Sequence, residues 1–303
     1  MSEQPTTVTR PGRLRTGPSP WIAAPALAFF AVFALVPLVG VFVLSFMSWD
    51  GLGAMGFVGL SNWKQMLSND VTQHAILLTL AMTVLCWLIQ TPLSLLLGVF
   101  MAGTERYRNV LSVLYFLPLL FSATAVGIAF NALLDPNFGM SRAFGLDLLS
   151  QDFLGHPTLA FYTIMFVIAW CFVPFHSLLY QGAARQIPVS VNEAAMIDGA
   201  NRWQTFWHIT LPQLRNTIVT SSTLMIVGSL TYFDLIFVMT AGGPGNATRV
   251  LPLDMYLTGF RSYNMGGASV LGVVLVVVGL TISFLLNRLT GSSRMESTME
   301  GAN

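Results

Sequence analysis

Charge is what this chain has least of. Only 9% of its 303 residues are Asp, Glu, Lys or Arg, while 54% are hydrophobic. A soluble domain is nearer a quarter charged, so this deficit excludes an ordinary water-soluble globule and argues for a membrane protein. Lys64 is the single lysine, and Trp63 precedes it. That excludes a phosphate-cradling G-x-x-x-x-G-K-[ST] loop, so the chain supplies no P-loop of its own. The four histidines, His74, His156, His176 and His208, lack metal-ligand spacing, and no H-E-x-x-H occurs. The absence of a G-x-S-x-G elbow argues against a membrane hydrolase. Cys86 and Cys171, the two cysteines, both fall in apolar stretches and read as plain buried residues. With a net charge of +1 and no basic cluster, nucleic acid is not an expected partner.

What the chain has instead is long uncharged runs. They extend from Thr16 to Trp49, Val71 to Thr104, Asn109 to Leu134, Phe153 to Ala184, Asn216 to Thr248 (interrupted by Asp234) and Ser262 to Asn287. Each exceeds the roughly 20 residues needed to cross a hydrocarbon core. The reading is an all-α membrane protein with six spans, near 21–46, 72–103, 109–134, 158–181, 214–240 and 265–289. The first run is too long for a signal peptide, and no small-residue cleavage site follows it. Pro25 and Pro37 predict a kink there. Residues 1–17 read as a disordered tail, 18–290 as the membrane domain and 291–303 as a polar tail.

Arginines fix the orientation. Arg10, Arg13, Arg15, Arg106, Arg108, Arg185, Arg202, Arg215, Arg288 and Arg294 fall on the side of the termini. Lys64, Arg142, Arg249 and Arg261 fall on the other. The excess predicts cytoplasmic termini in a multi-pass cell-membrane protein. Apart from Asp234 no acid lies mid-span, so the relay carboxylates of many secondary transporters are missing. Transport driven from elsewhere remains.

The most elaborate polar loop lies between spans four and five, at 185–213. Its centre, EAAMIDGANRWQTFWHITLP, reads as two short helices. Ser190 with Glu193 has capping-box spacing for the first, and Gly199 suits a left-handed stop. Asn201 with Gln204 caps the second, placing Trp203, Phe206 and Trp207 on one face.

Glu193-Ala194-Ala195, Gly199 and Ile209-x-Leu211-Pro212, with nine residues between Gly199 and Ile209, match the EAA signature. With SWDG at Ser48–Gly51, FVGLSNW at Phe57–Trp63, DGAN at Asp198–Asn201 and TAGGP at Thr240–Pro244, the whole chain resembles ABC-importer permeases. The branch it resembles is carbohydrate uptake, similar to the maltose and glycerol-phosphate permeases. One departure is Leu78 before Thr79, where such permeases carry Asn-Thr.

The resemblance implies a type I, MetI-like permease fold and a transport subunit, not an enzyme. It implies a sugar substrate, with glycerol-phosphate or another polar solute as the alternative. The partners it implies are a second homologous permease, an ABC ATPase dimer, an extracytoplasmic sugar-binding protein and membrane lipid. This chain is expected to bind no cofactor, since ATP and magnesium belong to the ATPase. The loop becomes a coupling helix, with Glu193, Ala194, Ala195, Gly199, Ile209, Leu211 and Pro212 as coupling residues. Two readings of Glu193 stay open, docking together with capping, or capping alone. The resemblance also implies a substrate pathway past Ser122, Trp170, Phe172, Phe175, Ser229 and Tyr232, with helix packing the alternative for each. Trp170 and Tyr232 form the favoured pair. Asp234 is read as lining the cavity or as pairing with a neighbouring helix.

Overall fold

The computed structural model describes residues 20–145 and 150–290, so the tails expected at 1–17 and 291–303 lie outside the described residues. The first span runs from Trp21 to Leu44. It comprises α1 (Ala24–Phe30), a π turn (Ala31–Leu35) and α2 (Val36–Leu44). Pro25 sits in the first turn of α1, whereas Pro37 follows the π turn inside the continuous span, where it cannot donate the usual helical bond. A π turn precedes Pro37 in place of regular α-helix.

A short antiparallel hairpin follows, β1 (Met47–Ser48) with β2 (Gly56–Phe57). In its turn the Asp50 carboxylate accepts the N–H groups of Gly53 at 2.7 Å and Leu52 at 2.9 Å. Those bonds, Gly53 first, hold its pKa below the ordinary carboxylate value. Helix α3 (Ser61–Leu67) then fastens the hairpin to the first span. Asn62 donates to the Ser45 and Met47 carbonyls, and the Trp63 indole donates to the Ser45 hydroxyl. The SWDG and FVGLSNW stretches are therefore a folded cap on the span end.

The core is the pairing of α4 (Asp70–Met101) with α8 (Pro157–Arg185). Asn69 caps α4 by accepting the N–H groups of Val71 and Thr72. The helices run in the same direction, because Gln181 near the end of α8 donates to the Met101 carbonyl at 2.8 Å. They touch closely at Gly98, where an added Cβ would sit 2.6 Å from the Ser177 carbonyl oxygen and from Tyr180 Cβ. Small residues at such crossings let helix backbones approach. Met82, Cys86, Ile164, Ile168, Leu235 and Ile236 fill the apolar centre, and both cysteines are free and buried.

The six expected spans are present when each bent pair is counted as one. Four are continuous, and the third and fifth are bent. The third consists of α5 (Arg106–Phe116), a 3-10 turn (Leu117–Leu120) and α6 (Ala123–Leu133), turning by 97°. Pro118 starts the 3-10 turn, and Ser122 caps α6 by accepting the Ala125 N–H. The fifth consists of α12 (Arg215–Ser229) and α13 (Asp234–Thr240), bent by 45° across 230–233. The loop after the third span carries α7 (Met140–Phe144).

Between the fifth and sixth spans the chain is more ordered than a glycine-rich turn predicts. Thr248 donates to the Gly243 carbonyl and contacts the Thr240 hydroxyl at 2.7 Å. A short helix, α14 (Leu251–Tyr256), then leads through a π turn (Leu257–Arg261) towards α15 (Met265–Thr290), the sixth span. The Leu251 N–H donates to Thr79, whose hydroxyl donates in turn to the Ala75 carbonyl. Leu78, the departure noted above, packs on the apolar core. The buried acid is Asp254, not Asp234. Its carboxylate accepts two bonds from Arg249, at 2.6 and 2.9 Å, and one from Thr72 at 2.9 Å.

Candidate functional site

Where the fifth span breaks, a cavity of about 450 Å³ opens against α8. Phe172, Phe175 and His176 from α8 line it together with Leu119, Tyr232 and Asp234. The Tyr232 and Phe172 rings lie 5.3 Å apart, inclined by 33°. The break itself places Tyr232 there, because 230–233 leave the helix before α13 starts at Asp234. Asp234 is exposed, and its place in the first turn of α13 suits a carboxylate, since the helix N-terminus carries partial positive charge. His176 lies 2.9 Å from the Ser221 hydroxyl, which ties the cavity floor to α12.

Phe172, Phe175, Tyr232 and Asp234 are thus brought together, and the other expected pathway residues are not. Trp170 stands two positions from Phe172 on one helix, about 200° away around the axis. It opens instead on a separate apolar groove with Tyr115, Tyr162 and Phe166, edge-on to Phe130 at 5.4 Å. The favoured pair Trp170 and Tyr232 therefore faces two different spaces. Ser229 is 3% exposed and lies 2.9 Å from the Thr83 hydroxyl, so it joins α12 to α4 rather than lining the cavity. Ser122 is the α6 cap, beside the cavity-lining Ala123. His176 was missed, although its place one turn after Phe172 on α8 was a usable signal.

The second part of the site is the loop at the far end of α8. After Pro188 the chain forms α9 (Val189–Ile197), α10 (Arg202–Thr205), a π turn (Phe206–Thr210) and α11 (Leu211–Gln213). The expected Ser190–Glu193 capping box does not form: Pro188 is the N-cap and both residues lie inside α9. Glu193 and Ala194 are exposed while Ala195 is buried. Gly199 takes φ +78°, the left-handed turn its position required, and open space surrounds its missing side chain. The Asn201–Gln204 box does form, with bonds of 2.9 and 2.8 Å.

Trp203, Phe206 and Trp207 cluster with ring separations of 5.6 to 6.0 Å. Phe206 and Leu211 continue inward onto Leu95, Tyr180 and Leu214, which seats this half of the loop on the span ends. Ile209 is half-buried and Pro212 exposed. The other half presents apolar side chains outward, with Val189 70%, Met196 65% and Ile197 86% exposed.

The family profile described as "Binding-protein-dependent transport system inner membrane component" matches residues 90–293, from mid-α4 past the sixth span. The chain belongs to this family. Among relatives of this permease is the diacetylchitobiose uptake system permease protein NgcF of Streptomyces coelicolor, 31% identical over 89% of this chain and 82% of that one. Another is the arabinooligosaccharides transport system permease protein AraP of Bacillus subtilis, 30% identical over 90% and 88%. The fold of the permease is also that of a bacterial alginate ABC transporter solved with an alginate pentasaccharide-bound periplasmic protein. The TM-score is 0.78 at 22% identity, covering 89% of this chain and 92% of that one. The MetNI methionine ABC transporter shares the fold more distantly, with a TM-score of 0.54 at 19% identity over 77% and 98%.

Proposed function

We propose that this permease is the membrane-spanning subunit of an ATP-driven carbohydrate importer. Solute passes the aromatic cavity at the break in the fifth span, and the 185–213 loop carries motion from a separate ATPase. The observation that carries this reading is the construction of the loop. One half is fastened to the span ends by Phe206, Leu211 and Leu214. The other, hinged at Gly199, offers exposed Val189, Met196 and Ile197. Exposed apolar patches on a loop of this kind suit a protein partner. Glu193 has no capping duty and stands ready for a basic group on that partner, and Ala194 allows close approach.

Carbohydrate fits the cavity. Aromatic faces at Phe172, Phe175 and Tyr232 suit the C–H surface of a sugar, and Tyr232 and Asp234 suit its hydroxyls. The names of the relatives point the same way. A phosphate ester would need a cation there, and the described lining residues include Asp234 but no lysine or arginine. The importer would hold a second homologous permease, an ATPase dimer on the loop side and an extracytoplasmic sugar-binding protein on the other. The placement of the arginines supports a cytoplasmic loop side. ATP and magnesium act on the ATPase, and alternating access follows as ATP binding draws the two coupling loops together.

The test is Gly199→Pro. Proline fixes φ near −65°, which the +78° of this hinge forbids. The variant should reach the membrane in normal amount, keep ATP binding on the partner and lose sugar uptake. Normal uptake from it would refute the coupling role.

A further inference from the structure

Among the described residues, the buried side-chain polar atoms without a hydrogen-bond partner are Trp87 Nε1, both ends of the Gln90 amide, Ser177 Oγ and Tyr180 Oη. Gln90 is the most demanding of them. It is 0% exposed, sits in α4 one turn after Cys86, and leaves both donor and acceptor unmatched. Burying an amide this way costs as much as a lost hydrogen bond at each end, whereas leucine would fill the same volume without that cost. The polar groups beside it are the Tyr232 hydroxyl and the Cys86 thiol, neither in hydrogen-bond geometry with it. Tyr232 belongs to the unwound 230–233 stretch and lines the cavity, whereas Gln90 is not among the lining residues.

We propose that Gln90 is a positioning residue for solute recognition, fixing the direction in which the Tyr232 hydroxyl points into the cavity. The inference rests on the cavity's role stated above. When the amide carbonyl accepts from the Tyr232 O–H, the phenol oxygen is left to accept from a solute hydroxyl. When the amide NH₂ donates to that oxygen, the O–H turns outward and donates to a solute oxygen. The neighbouring polar groups are already committed. His176 is paired with Ser221, and Thr231 donates to the Gly228 carbonyl. Asp234, while ionised, only accepts. Tyr232 is therefore the hydroxyl whose direction is still to be set, and a hydrogen bond between it and Gln90 would also satisfy one end of the buried amide.

The test uses the full importer, reconstituted with its partner permease, ATPase and binding protein. Uptake is measured at saturating concentration for radiolabelled diacetylchitobiose, arabinotriose and maltose, and for monodeoxy derivatives of whichever is carried. The readout is the ratio of rates for a sugar and its deoxy form, which the amount of folded protein does not affect. Gln90→Leu should shift that ratio by about two- to tenfold, the range one neutral hydrogen bond commands. In a Tyr232→Phe background the same substitution should leave the ratio unchanged. Gln90→Met, with a different apolar shape, answers the same question if the leucine variant fails to assemble. A proportional fall for both solutes, or an undiminished effect in the Tyr232→Phe background, would overturn the positioning role. If the unaltered importer carries none of these sugars, the carbohydrate reading falls first and this inference with it.

Discussion

The contact of α4 with α8 at Gly98 gives the sharpest prediction. At Gly98 a methyl group would lie 2.6 Å from both the Ser177 carbonyl oxygen and Tyr180 Cβ, and 3.1 Å from the Gln181 amide nitrogen. Ordinary carbon contacts need about 3.5–4.0 Å, so α4 and α8 must separate by roughly 1 Å for Gly98→Ala to fit. The blocking atoms are backbone and Cβ, which cannot swing aside. Overpacking of this kind costs about 1–3 kcal/mol, against roughly 1 kcal/mol recovered from alanine's better helix propensity. The separation also stretches the bond from Gln181 to the Met101 carbonyl, one turn further on. Gly182 supplies the control. It lies on the partner helix α8, and an added Cβ there meets nothing within 4 Å. Gly182→Ala should therefore stabilise by about 0.5–1 kcal/mol. Thermal unfolding in detergent, followed by exposure of the buried Cys86 and Cys171 to a thiol-reactive dye, should place Gly98→Ala several degrees below the unaltered chain and Gly182→Ala at or above it. Equal midpoints for the two variants would refute the reasoning.

Other outcomes follow from the same kind of argument. Arg249→Met should destabilise by about 3–5 kcal/mol, because it strands the Asp254 carboxylate with only Thr72; adding Asp254→Leu should recover most of that loss in the same unfolding assay. Asn201→Ala should cost about 1 kcal/mol locally, read as faster hydrogen exchange at the Gln204 amide with no change in the midpoint of the core. Asp234→Asn should lower sugar uptake while leaving thermal stability within about 0.5 kcal/mol, because the carboxylate is exposed at the cavity and pairs with no cation among the described residues. Unchanged transport with changed stability would reverse that assignment.

The spans, the EAA loop and the membrane class were legible because hydropathy and spacing encode them directly. Hydropathy does not register a bend. FLPLLFS is as apolar as a straight helix and SLTYFDL lies in a long run interrupted only by Asp234, so the breaks at 117–122 and 230–233 left no mark on the span count. The capping spacing at Ser190 was real, but Pro188 starts α9 earlier and moves both partners into the helix interior. Trp170 and Phe172 looked like one wall because sequence proximity hides a rotation of about 200°. Asp254 was unreadable as a buried charge: Arg249 stands only five residues away, but Thr72 meets the carboxylate only once α4 and α14 are side by side.

The break in the fifth span has a mechanical side. Its two pieces are moored to different neighbours. Ser229 bonds α12 to Thr83, and Asn131 on α6 holds α13 by donating to the Val238 carbonyl at 2.9 Å. Gly127 presses the same pair together, with Val238 where a side chain would be. If the loop carries motion as proposed, an axial pull arriving through Pro212 would load α12 and be taken up in the four residues before Asp234, with α13 held against α6. The fifth span would then act as a tie rod ending in a swivel, with the ring of Tyr232 mounted on the swivel.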